Sequence, residues 1–414
     1  MKFDLLILPS IPGTLEDRTA LRPIGRNVER YQQMLQEMRD IAVLADEVGI
    51  DAFSTTEHHF HSEGFEASVA PLVLYADLAA RTSRLKFAPL GLVLPGWDPI
   101  RCAEELAVLD NLTQGRVIAG FARGYQDRWV NVLGQHYHST GAPMDGSEVD
   151  LHNRRVFEEV YQLIKLAWTE DAIEYNGQYY SIPQPYEEGI RRWPVTEWTR
   201  KYGAPGELDE DGVIRKISVI PKPYQQPHPP FWQPFSVSES TIRWCARENI
   251  MPWILIAYPE RFNEFCKVYQ EEAATVGREL QMGESVGAVR DICIGKTYEE
   301  AFERGVKTTG LGFHAYFAGF GFLEAFRNPG EEAPVPLMLP DAKAVYQRMI
   351  DHDFALCGTV DDIKRKMESL AKCYGMGQLE WFSWAFLHQG FLPWDEVRWQ
   401  LETFATEILP EFQD

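Results

Sequence analysis

The chain is 414 residues long, 45% apolar and 24% charged, with a formal net charge of −21. That length buries a substantial core, and the composition excludes extensive disorder. The acidic balance excludes a general nucleic-acid or anionic-membrane partner, because the averaged field repels phosphates; a phosphate bound here needs a local set of arginines and backbone amides.

Phe3–Leu8 is an apolar run broken by Asp4 alone and closed by Pro9, which predicts a strand buried on both faces. Tyr31, Met34, Leu35, Met38, Ile41, Ala42, Ala45 and Val48 then recur at helical spacing, and Gly49 ends that helix. A strand over 50–55 follows, then a helix over about 67–82 and a strand over 85–94. Asp98-Pro99 supplies an N-cap and a helix-starting proline for a helix ending near Thr113. A strand over 117–121 runs into Ala122-Arg123-Gly124, and 151–168 is helical again. This alternation predicts βαβ units and a parallel sheet.

The rhythm breaks after Trp168. Residues 172–182, with Asn176-Gly177 as the turn, read as a hairpin. Residues 183–230 are rich in proline, aromatics and charge, with one short strand expected over 217–220. Strands over 230–235, 253–257 and 286–294 then alternate with helices over 238–248, 260–276 and 296–308. Residues 311–340 read as irregular; helices over 341–350 and 359–374, a strand over 379–386 and a helix over 394–408 complete the chain. The predicted fold is α/β, a single (β/α)8 TIM barrel spanning 1–414 with two insertions, roughly 183–217 and 311–340. The aromatic content of both insertions suits a lid or apolar substrate cavity, and equally a packed flap or subunit interface.

Six scattered cysteines with no CxxC pair read as free thiols in a reducing compartment. The opening apolar run is interrupted by Asp4 and too short for a secretory core, and no apolar stretch approaches a membrane span. A cytoplasmic protein without membrane or nucleic-acid partners is expected.

Thr56-Glu57-His58-His59-Phe60, just past the second strand, places titratable side chains where barrel enzymes keep their chemistry. Together with Leu92-Val93-Leu94-Pro95, Asp98-Pro99-Ile100-Arg101, Gly115-Arg116, Ala122-Arg123-Gly124-Tyr125, Ser238-Glu239-Ser240-Thr241 and Gly358-Thr359-Val360-Asp361, the segment resembles the bacterial-luciferase-like flavin-dependent monooxygenases. The resemblance covers nearly the whole chain outside the two insertions. It implies a barrel that takes reduced FMN from a separate flavin reductase. O2 then gives a C4a-(hydro)peroxyflavin that oxygenates a small to medium apolar organic substrate. It also implies a homodimer, or a heterodimer with a related barrel.

By that resemblance His58 is the catalytic histidine, with Glu57 beside it; the bland alternative is a core histidine bonded to Glu57. Leu90-Gly91 falls where relatives carry a non-proline cis peptide against the flavin ring. Arg123, with Arg154 as a second contact, matches the flavin-phosphate arginine; surface ion pairs are the alternative for both. Ala122 stands where luciferase alpha subunits carry a reactive cysteine, a departure that counts against light emission but not against oxygenation. Ser238 and Thr241 at a helix start suit an anion, for which the resemblance supplies the FMN phosphate. Glu57, His58, His59 and His61 also raise a metal reading, but the segment is a strand exit, HExxH is absent and no cysteine is close, so no metal is expected. Two rival functions share the fold: a deazaflavin (F420) oxidoreductase transferring hydride without O2, and a non-catalytic flavin-binding partner subunit.

Overall fold

The computed structural model describes residues 1–332 and 335–413; residues 333 and 334, inside the expected 311–340 insertion, lie outside the described residues. In chain order the strands are β1 (Lys2–Ile7), β2 (Ala52–Thr55), β3 (Lys86–Pro89), β4 (Leu92–Val93), β5 (Ala119–Ala122), β6 (Tyr175–Asn176), β7 (Ser181–Ile182), β8 (Phe231–Ser236), β9 (Ile250–Ile254), β10 (Gly287–Ile294), β11 (Ala355–Gly358) and β12 (Trp381–Ala385). Two compact units emerge: Met1–Gly91 with Phe231–Asp414, and Leu92–Pro230.

The first unit carries parallel strands in the order β3-β2-β1-β12-β10-β9-β8, with β11 against β10. Phe3 to Ile7 are all buried, Asp4 among them, as a strand covered on both faces requires. The helix Val28–Val48 starts at Asn27, whose side chain accepts from Arg30 N, and buries Met34, Met38, Ile41, Ala42 and Ala45 along one face. Gly49 ends it at φ +90°, a conformation that costs glycine nothing. Trp232, Trp253 and Trp381 pack edge to face, with centroids 4.9 to 6.2 Å apart; Trp232 and Trp381 lie near the starts of β8 and β12, and Trp253, fourth in β9, pairs with Gly287 at the start of β10. A Cβ on Gly287, the first residue of β10, would lie 2.3 Å from the Trp253 ring, so only glycine admits this plug. One end of the strand set is thereby filled with indole. The opposite, C-terminal ends are left for chemistry.

Strand β11 was not expected from the sequence. Its four residues, Ala-Leu-Cys-Gly, lie between the helices Ala342–Asp351 and Val360–Ala371 and are too short to show a period. The helix expected over 296–308 is instead an α-helix, Tyr298–Gly305, continued by a π-helical turn over Val306–Gly310. The 311–340 segment is not structureless: it holds a short helix, Leu311–Ala315, and two 3₁₀ turns, Phe317–Phe320 and Phe322–Phe326.

In the second unit β4 and β5 pair in parallel, Leu92 with Phe121 and Val93 with Ala122. Asp98 caps the helix Pro99–Thr113, accepting from Ile100 N and Arg101 N. The helix Glu148–Thr169 starts at Ser147, which accepts from Asp150 N. The expected hairpin is β6–β7, antiparallel; Glu159 holds its turn by accepting from the backbone N–H groups of Gln178, Tyr179 and Tyr180. The strand expected over 217–220 shrinks to one antiparallel bridge between Ile217 and Ile173, and the 183–217 segment folds around a short helix, Thr196–Tyr202.

Candidate functional site

Past the end of β2 the chain makes a compact excursion from Thr56 to Ser68, closed by a hydrogen bond from His58 N to Ser68 O at 3.0 Å. Ile11 N donates to Gly64 O and Gly25 N to Ser62 O, fastening the excursion to the segment after β1. Contact there is so close that a Cβ on Gly25 would meet His61 O at 2.8 Å, and one on Gly64 (φ +78°) would meet Ile24 Cγ2 at 2.8 Å.

His58 is 5% exposed. Its Nδ1 lies 3.0 Å from Thr56 Oγ1 and 3.4 Å from Glu66 Oε1. Burial, with His61 and His59 alongside, holds its pKa well below the ordinary imidazole value, so the ring is neutral at physiological pH. His61 stacks on it, with centroids 5.4 Å apart and planes 26° from parallel. His61 Nδ1 donates to Phe65 O at 2.9 Å, which leaves its Nε2 to accept from Tyr316 Oη at 3.0 Å. Glu57 turns towards the other histidine: its Oε1 is 3.1 Å from His59 Nε2.

Glu66 is a residue that the sequence reading missed, and Tyr316 was read there only as part of the aromatic content of the second insertion. Glu66 had one available signal, a carboxylate set between Phe65 and Ala67 in a short apolar stretch eight residues past His58. Tyr316 arrives from the second insertion, where it packs against Phe65 with centroids 4.8 Å apart; Phe317 and Phe391 flank the same ring at 5.5 and 5.7 Å. The insertion therefore contributes an aromatic wall beside the paired imidazoles.

Leu90 N donates to Thr55 O at 2.7 Å, which brings Leu90-Gly91 beside the exit of β2, and the Leu90–Gly91 peptide is cis. Farther along the first unit, Ser238 caps the ten-residue helix Glu239–Glu248: its Oγ accepts from Thr241 N and lies 2.9 Å from Thr241 Oγ1. Ser236 Oγ, at the end of β8, is buried without a hydrogen-bond partner among the described residues. An orphan hydroxyl two residues before a helix N-terminus, with two more hydroxyls at that terminus, is a donor set suited to a phosphate ester.

Within the second unit Ala122 ends β5, and Arg123 follows it. Arg123 Nη1 donates to Asp150 Oδ1 at 2.6 Å, while Asp150 Oδ2 accepts from Gly146 N. Arg154 lies half-buried one turn beyond Asp150 on the same helix. Ser139 Oγ and Asn153 Oδ1, also in this unit, are buried without partners among the described residues. Among the described residues no group of three or more His, Cys, Asp or Glu is arranged to hold a metal ion, and no helix is long and apolar enough to cross a membrane.

The model of the family described as luciferase-like monooxygenase matches residues 1–375. The oxygenase component of the flavin-dependent trigonelline monooxygenase of Acinetobacter baylyi is 27% identical over 204 residues, covering 49% of this chain and 44% of its own length. The alkanal monooxygenase alpha chain of Photobacterium leiognathi is 28% identical over 155 residues, covering 37% of this chain and 40% of that one. The chain thus aligns with less than half the length of either relative. Among solved structures, the oxygenating constituent of the Pseudomonas putida 3,6-diketocamphane monooxygenase, in complex with FMN, superposes with a TM-score of 0.70 at 20% identity, over 100% of this chain and 98% of that one. The shared fold is the (β/α)8 barrel, as expected from the sequence. This chain belongs to the luciferase-like monooxygenase family.

Proposed function

We propose that this protein is the oxygenase component of a two-component flavin-dependent monooxygenase, taking reduced FMN from a separate flavin reductase and using O2 to oxygenate a small to medium apolar organic substrate. The observation that carries this reading is His58, a buried imidazole kept neutral at the exit of β2 with its Nδ1 side held by Thr56 and Glu66. The relative named as an oxygenase component supports a flavin reductase partner.

The residues present fit a flavin. Ser236, Ser238, Thr241 and the first amides of the helix Glu239–Glu248 supply donors for its phosphate. Leu90-Gly91 would lie along its ring. When bound, reduced FMN supplies the activation of O2. The chain's own contribution is to hold and move a proton at His58 Nε2, the ring position opposite the fixed Nδ1. Phe65, Tyr316 and Phe317 exclude water from the imidazole side, and Glu57 acts through His59, which it orients.

Anaerobic mixing of the protein with photoreduced FMN, followed by exposure to O2, tests the proposal. Reduced FMN is expected to bind and to be reoxidised more slowly than the free flavin. Absence of binding overturns the reading, and substrate turnover without O2 replaces it with a hydride-transferring deazaflavin enzyme.

A further inference from the structure

Two stacked imidazoles share a single carboxylate in the Thr56–Ser68 excursion. Glu66 Oε1 is 3.4 Å from His58 Nδ1 and Glu66 Oε2 is 3.9 Å from His61 Nδ1. The residue is 1% exposed and adopts φ +50°, a left-handed conformation that glutamate rarely takes. Nothing about solubility or chain reversal requires a carboxylate there, since Gly64 already supplies a left-handed turn two residues earlier. The buried side chain brings one carboxylate oxygen towards each ring.

We propose that Glu66 is the positioning residue of the site, fixing His58 as the Nδ1–H tautomer, which puts the ring lone pair on Nε2; this rests on His58 being the imidazole that serves the reaction. In its ionised form the Glu66 carboxylate only accepts, and a hydrogen shared across the 3.4 Å approach then resides on His58 Nδ1. The Thr56 hydroxyl, 3.0 Å from the same nitrogen, can accept or donate and follows the tautomer that Glu66 sets. Glu57, the carboxylate adjacent in sequence, is committed to His59 at 3.1 Å. His61 is fixed independently, by Phe65 O on Nδ1 and Tyr316 on Nε2, so it braces His58 by stacking while its proton stays in place. Tyr316 links this brace to the second insertion, across 255 residues of sequence.

The test is a ring-nitrogen spectrum of ¹⁵N-histidine-labelled, flavin-free protein, with His58 identified by the signals lost in His58→Gln. The wild type is expected to show the proton on Nδ1, Glu66→Gln to keep it there through its amide oxygen, and Glu66→Leu to lose that preference. In turnover, Glu66→Leu is expected to lower kcat roughly 10²-fold with FMN affinity unchanged, and Glu66→Gln to restore most of that loss. A wild-type proton on Nε2 overturns the proposal, as does a Glu66→Leu protein with wild-type tautomer and kcat. If the leucine variant does not fold, the wild-type spectrum and the glutamine variant decide. Failure of the monooxygenase reading registers separately, as wild-type protein without turnover dependent on reduced FMN, because the spectrum is recorded without flavin.

Discussion

Arg123 reaches Asp150 at 2.6 Å, and the carboxylate side chain it meets is 8% exposed. A desolvated ion pair of this kind is weak as a net source of stability, but removing one partner strands the other. Arg123→Ala is therefore expected to destabilise the protein by roughly 3 kcal/mol, read from the midpoint of urea unfolding, with Arg123→Lys in between. If the guanidinium also grips the flavin phosphate, the same variant weakens FMN binding about tenfold, equivalent to ~1.4 kcal/mol. Unchanged FMN affinity in a folded Arg123→Ala protein would leave the arginine a purely structural role.

His58→Gln is expected to lower coupled product formation by about 10²- to 10⁴-fold, the range ascribed to a positioned acid–base group. FMN affinity, measured by fluorescence quenching, should stay near wild type. Because burial and the neighbouring histidines depress the His58 pKa, the ring does not charge as pH falls from about 8 to 6. A kcat profile flat over that interval agrees with this; a decline near the ordinary imidazole pKa that disappears in His58→Gln would contradict it.

The Ser238 and Thr241 hydroxyls face one another at 2.9 Å over the start of the helix Glu239–Glu248. Replacing both by alanine is expected to weaken FMN binding while leaving riboflavin, which lacks the phosphate, unaffected. The helix loses its N-cap at the same time, at a cost of about 1 kcal/mol in stability. Equal losses for FMN and riboflavin would place the phosphate elsewhere.

Asp4, opposite Ser383 in the strand register, accepts from Ser54 and Ser383 at 2.7 Å each; burial pushes its pKa up to about 7 against the pull of those two hydroxyls. In the unfolded chain the group ionises near 3.8, so between those two values the folded state binds the extra proton and stability falls as pH rises. A neutral carboxamide in its place would accept from both serines without this titration. The stability advantage of Asp4→Asn over wild type is expected to grow from pH 4 to pH 8, up to about 4 kcal/mol, as measured by denaturant unfolding at each pH. A gap that does not change with pH would show that the carboxyl is ionised throughout.

How much of this was legible in sequence depended on whether the information was local. Phe3–Ile7, the helix that Gly49 ends and the Asp98-Pro99 helix start all declare themselves through period, cap residues and runs of apolar side chains. β11 does not, because four residues between two helices carry no period. The π-helical continuation at Val306–Gly310 is equally silent, since its side chains satisfy an α-helical pattern just as well. In the site, Glu57, His58 and His59 were visible because they are consecutive, but the carboxylate beside His58 was not. Adjacency suggested Glu57 for His58, whereas the chain folds back and delivers Glu66 instead. Tyr316 meets His61 from a distant insertion, a proximity no local pattern encodes.

The close approach of Gly25 and Gly64 to their neighbours sets an asymmetry for anyone redirecting this scaffold. Main-chain atoms grip the histidine excursion from behind, so a library built there would mostly return collapsed proteins. The aromatic turns that carry Tyr316 and Phe317 meet their surroundings through ring contacts with Phe65, Phe313 and Phe322. New specificities are to be sought in that ring-rich flap, with the histidine loop left untouched as an anvil.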